Sequence, residues 1–168
     1  MRDHRRATEA ASTPTFDGQE DGEAAAPEEV VRRLIDEAFS KGRLEVCDEL
    51  IADLLVEHQD YGPDHAAGAA GVRAVVTSLR RAFSDFKLEI AALVVAGDTV
   101  WTRNVATGTN DGPYMGRSPT GRRIRIDVFD VLRVVDGRVV EHWGVPDRVA
   151  VLTQLGLLSP PRGAGTGS

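Results

Sequence analysis

Two histidines and an aspartate carry the clearest chemical signal in this chain. Asp130 and His142 lie on the two arms of a predicted β-hairpin, Arg123–Val134 and Arg138–Val145, that turns at Asp136-Gly137. If Val135-Asp136-Gly137 is a three-residue loop with glycine in the left-handed conformation, Val134 pairs with Arg138. Asp130 then lies directly opposite His142, and the two side chains share a face. Val128, Leu132, Val140 and Gly144 share it too, while Phe129, Val131, Val139 and Trp143 take the other face. A two-residue loop shifts the register by one and breaks the Asp–His pairing. A carboxylate beside an imidazole fixes its tautomer and raises its basicity, which suits a proton shuttle. The same pair also suits a buried, satisfied ion pair that only orders the sheet. His58, in Val56-Glu57-His58-Gln59-Asp60, is a second imidazole, at the end of another predicted strand.

The elements that must position these groups follow from changes of period along the chain. Pro27 opens a helix, with Glu28 and Glu29 in its first turn. Val30, Val31, Leu34, Ala38 and Phe39 recur at helical spacing, and Gly42 ends it. A short helix is predicted over Leu44–Ile51 and a strand over Leu54–His58, followed by a turn at Tyr61-Gly62-Pro63-Asp64. Val72, Val75, Val76, Leu79 and Phe83 mark a third helix. Lys87–Ala96 and Val100–Thr109 then flank Gly97-Asp98 as a first hairpin, residues 110–121 form a Gly/Pro loop, and the hairpin bearing Asp130 and His142 follows. Asp147–Leu155 closes the chain as a helix, with Gly156 just past its end. Helices, a lone strand, a helix and a meander argue an α+β fold, with helices on one face of a curved antiparallel sheet. Such a sheet encloses a cavity where a small ligand binds. Residues 1–26 and 159–168 are poor in large apolar side chains and read as disordered tails around one domain, residues 27–158.

Composition narrows the function. The chain has 168 residues and a net charge of −6, and its positive charges are scattered apart from Arg122, Arg123 and Arg125. Nucleic-acid binding therefore has no electrostatic footprint. No apolar run approaches the roughly 18 residues of a membrane span, and none follows the basic N-terminus as a signal peptide requires. The expectation is a cytoplasmic protein without membrane contact. The lone cysteine, Cys47, builds neither a disulfide nor a zinc site; it sits in an apolar helix and reads as core. No histidine pair at helical spacing and no phosphate-cradling glycine loop is present. The sequence thus calls for no metal and no cofactor.

The stretch Asp136-Gly-Arg-Val-Val-Glu-His-Trp-Gly-Val-Pro-Asp147, followed by Leu152-Thr-Gln-Leu-Gly156, resembles the C-terminal signature of SnoaL-like proteins, the polyketide cyclase and ester cyclase-like family. So does Met115-Gly-Arg-Ser-Pro-Thr-Gly-Arg-Arg123. The resemblance covers residues 28–158 and is specific for the family rather than for a reaction. It implies the cone-shaped α+β barrel of the nuclear-transport-factor-like superfamily, which hosts polyketide cyclases, ketosteroid isomerases, epoxide hydrolases and plain binding domains. Fold alone does not select among them. Cyclases of this kind place the positions of Asp130 and His142 in the pocket, which favours the three-residue loop.

The resemblance also implies roles residue by residue. Asp130 matches the oxyanion-stabilising aspartate of ketosteroid isomerases and His58 matches their base, whereas their oxyanion tyrosine is matched by Leu34. Aromatic polyketide cyclases carry an aspartate two residues after the histidine of the last strand; here that place is Gly144. Limonene epoxide hydrolases use the same place, and their second acid and its arginine fall at Ala106 and Asn104. In such a cone Asn104, Trp101, Tyr114 and Met115 would line the mouth or walls. Trp143 lies on the outer sheet face, where an apolar surface needs a cover, so a homodimer through that face is expected. The leading expectation is a cofactor-independent enzyme of bacterial secondary metabolism. It would move a proton on a hydrophobic carbonyl substrate, in an aldol cyclisation or an isomerisation, through His142, Asp130 and His58. A non-catalytic small-molecule-binding or dimerisation domain and an epoxide or ester hydrolase are the alternatives.

Overall fold

A computed structural model describes residues 24–61 and 66–158. The expected tails, apart from residues 24–26, and the turn at residues 62–64 lie outside the described residues. α1 (Pro27–Arg33) starts with proline at its first position and runs straight into a π-helical stretch, Leu34–Ser40. α2 (Glu45–Leu50) leads directly into β1 (Ile51–Glu57), and α3 (Gly68–Ala82) follows. The meander then runs β2 (Lys87–Ala96), β3 (Thr99–Thr109), β4 (Arg123–Val135) and β5 (Arg138–Pro146). α4 (Arg148–Gln154) closes it, capped by the Asp147 carboxylate, which accepts the Ala150 N–H at 2.8 Å.

The α+β class and the packing of helices on one sheet face are as the sequence implies. The sheet itself is mixed and open. Its five strands run in the order β1-β5-β4-β3-β2, and β1 pairs with β5 in parallel. The reason is topological: β1 is separated from β5 by the whole meander, so it joins the free edge of β5 rather than a hairpin partner. Val30, Val31, Leu34 and Ala38 of the first helix join Val100, Leu132, Val134 and Val139 of the sheet in one buried cluster. Burying each valine or leucine contributes about 1.5–3 kcal/mol, and this cluster fixes which sheet face looks inward.

The last hairpin corrects the sequence reading. Its loop has two residues, Asp136 (φ 50°) and Gly137 (φ 72°), and Val135 pairs with Arg138. Both loop residues have positive φ, the requirement of a tight hairpin whose twist matches the strands. The ladder then shifts between Val134↔Val139 and Arg133↔Glu141, so Val140 is one extra residue on β5. A bulge of this kind sends every later side chain to the opposite face from the one a regular ladder would give. The two-residue loop thus turns Val139, expected outside, into the core opposite Val134, and the bulge returns His142 to the inner face opposite Leu132. Asp130 pairs with Gly144 and meets His142 on the diagonal, not directly across.

Candidate active site

The inner face of β1, β5, β4 and β3 carries a row of polar side chains amid the apolar core. Glu57 is the β1 partner of His142 in the parallel ladder. Its carboxylate oxygens lie 3.0 and 2.8 Å from His142 Nδ1, and His142 Nε2 lies 3.2 Å from Asp130 Oδ1. The three side chains are only 17%, 17% and 12% exposed for Glu57, His142 and Asp130. Asn104 Nδ2 donates to Asp130 Oδ2 at 2.7 Å and to Thr102 Oγ1 at 2.9 Å. Those two bonds fix the amide orientation. Asn104 is fully buried, and among the described residues no group donates to its Oδ1.

Burial alone would push the His142 imidazole down, because it penalises the charged ring. Hydrogen bonds to Asp130 and Glu57, and the charges of both, outweigh it and raise the pKa to about 9. At neutral pH His142 is then an imidazolium, and both ring nitrogens donate, Nδ1 to Glu57 and Nε2 to Asp130. The row is carboxylate, imidazolium, carboxylate. Its cation can donate a proton or stabilise developing negative charge, and its anions can accept a proton. The Tyr61 phenol, exposed on one side, is held protonated by partial desolvation and by the nearby charges of Glu57 and Asp130, so it borders the same neighbourhood.

A SnoaL-like polyketide cyclase family model matches residues 29–155. The chain belongs to the SnoaL-like polyketide cyclase family. Among the family's curated members, it is 30% identical over 133 residues to an aklanonic acid methyl ester cyclase, DauD, of Streptomyces sp. (strain C5); the match covers 76% of this chain and 80% of that one. It is 32% identical over 126 residues to the nogalonic acid methyl ester cyclase of Streptomyces nogalater, covering 71% of this chain and 90% of that one. Among solved structures, IdmH of Streptomyces antibioticus superposes with a TM-score of 0.69 at 37% identity, covering 79% of this chain and 99% of that one. Family and relatives together support a polyketide-cyclase role in secondary metabolism.

Within this SnoaL-like frame the residues singled out from sequence separate. His142, Asp130 and Asn104 come together on the inner face. Tyr114 is half-buried and sets its ring edge-on to Phe83 at 5.4 Å, and burial raises its phenol pKa. The other three candidates do not meet this row. His58 follows β1 by one residue and falls on the outer face, stacked on Trp143 at 4.4 Å with Nε2 3.0 Å from Glu141 Oε1. Trp101, on the same outer face, is 55% exposed. Met115 sits at φ 49° beside Gly116, in a tight turn between Tyr114 and Arg117, and its side chain is exposed.

Glu57, Gln59 and Tyr61 are site residues that the sequence reading passed over. In-register pairing with His142 turns Glu57 inward and leaves His58 outward; a strand begun at Leu54 does not show this. Clefts of about 570 and 530 Å³ open elsewhere, beside Pro27 and Gly137 and beside Ser40 and Lys87, and neither includes His142. Among the described residues no group of His, Cys, Asp or Glu side chains is arranged to hold a metal ion, and no helix is long and apolar enough to cross a membrane.

Proposed function

We propose that this protein closes a ring in a hydrophobic polyketide ester by an intramolecular aldol addition. The row Glu57–His142–Asp130 on the inner face is the observation that supports the reading. Asp130 takes a proton from the carbon flanked by carbonyl groups. The resulting enolate attacks a ketone carbon of the same molecule, and a carbon–carbon bond forms as the ketone π bond breaks. His142 Nε2–H, held at 3.2 Å, delivers a proton to the new alkoxide. Asp130 then returns its proton to His142 across that contact, so the site is reset and product and substrate are isomers. Positioned proton transfer of this kind contributes about 10²–10⁴-fold. Asn104 holds the Asp130 carboxylate in orientation through its 2.7 Å bond.

Incubation with aklanonic acid methyl ester and nogalonic acid methyl ester tests the reading, since the relatives named for these esters cover most of the chain. The expected result is a cyclised product of unchanged mass. A product that has gained one water would assign a hydrolase instead, and full recovery of unaltered but bound ester would assign a binding domain.

The proposal includes a homodimer through the outer sheet face and a cytoplasmic location. Val94, Trp101, Phe129, Trp143 and Val145 are all exposed there, a contiguous apolar surface of the kind monomers rarely leave uncovered. Sedimentation equilibrium should give twice the chain mass, and Trp101→Glu combined with Phe129→Glu should give a folded monomer. A wild-type monomer at micromolar concentration would remove this part of the reading.

A further inference from the structure

Gly144 stands in the interior of β5, where a glycine weakens a strand because it offers no side chain to pack. Its φ is not among the positive ones, so the backbone conformation does not demand glycine. Space does. A Cβ on Gly144 would fall 2.1 Å from Gln59 Oε1, 2.9 Å from His142 Cε1 and 3.0 Å from Asp130 Oδ1. The Gln59 amide therefore lies in the notch that the missing side chain leaves, against the imidazole and the carboxylate. Its backbone is tied to the third member of the row, since Gln59 N–H donates to Glu57 Oε1 at 2.8 Å. The side chain is half-buried, and Oε1 is its atom nearest Gly144.

We infer that Gly144 and Gln59 are one device, in which the glycine seats the Gln59 amide over His142 and Asp130 and Gln59 donates through Nε2 to a carbonyl oxygen of the bound ligand. Gln59 is then a specificity-determining residue for ketones and esters. It is a neutral second donor beside the His142 cation, placed where negative charge would develop on oxygen. The inference rests on the acid–base reading of this row, but it needs only binding and not turnover.

Methyl anthraquinone-2-carboxylate serves as the probe, an aromatic ketone and ester that cannot cyclise, and its dissociation constant is measured by tryptophan fluorescence. Gln59→Leu keeps the bulk and removes the donor. Gly144→Ala keeps the donor and displaces it. Each is expected to weaken binding about tenfold, the scale of one hydrogen bond lost from a buried site. The double variant should be no worse than either single change, because both remove the same contact. Dissociation constants that agree within about twofold across wild type and variants, or losses that multiply, overturn the inference. Gln59→Leu decides alone if Gly144→Ala does not fold. Absence of turnover alongside the expected binding pattern would instead count against the cyclase reading.

Discussion

Asp130→Asn is expected to lower kcat/KM by about 10²–10⁴-fold for whichever ester the protein cyclises. The substitution is nearly isosteric, so shape is kept and chemistry is lost. Both carboxylate oxygens of Asp130 accept, Oδ1 from His142 and Oδ2 from Asn104. An asparagine must turn its NH₂ toward one of those donors, and it cannot accept a proton from carbon. The lost acceptor leaves a buried donor unpaired, which costs roughly 1–3 kcal/mol of stability. His58→Ala is the informative control. His58 stacks on Trp143 on the other sheet face, so its removal should leave kcat/KM within about twofold. If the two variants show equal losses, the inner row is not the reacting site. If Asp130→Asn keeps full turnover with a normal melting curve, another group is the base.

The hairpin shows how much of this site was legible in the sequence. The alternating pattern of β4 placed Asp130, Leu132 and Val128 on one face, and the structure agrees. The turn was misjudged by one residue, and an extra residue at Val140 restored the face of His142 by a different route. Bulges leave no mark in hydrophobic alternation when the bulged residue is itself a valine in a run such as Val139-Val140. The long-range partner was harder still. Glu57 reaches His142 only because β1 adds to the free edge of β5 in parallel, 85 residues away along the chain. No local signal encodes that pairing. Gln59 and Gly144 are a pair of the same kind. Gly144 stands out in the sequence only as the place of a missing acid, and Gln59 not at all, until the fold sets one in the space the other leaves.

The charge state of His142 makes the second large prediction, and it is one of sign. Unfolded, His142 titrates near its ordinary value of 6.5; folded, it holds its proton to about 9. Below about pH 6.5 both states are protonated and the stabilisation is fully present. Between 6.5 and 9 the folded chain binds more protons than the unfolded one, so stability falls as pH rises, and above about 9 this contribution is gone. The difference amounts to roughly 3 kcal/mol, or about 10 °C in Tm for a domain of this size. Glu57→Gln removes one of the two anions that hold the proton, so the imidazole should titrate closer to 6.5 and the pH-dependent loss should shrink by about half. Because His142 acts as the acid, the alkaline limb of kcat/KM should move down with it, while the acid limb, set by the base, should move less. Thermal melts from pH 6 to 10 with NMR titration of the His142 ring measure both quantities on the same variants. A flat stability profile between 6.5 and 9, with His142 titrating near 6.5 in the folded protein, would show that the two carboxylates do not hold an imidazolium. Catalysis would then have to run with His142 as the base.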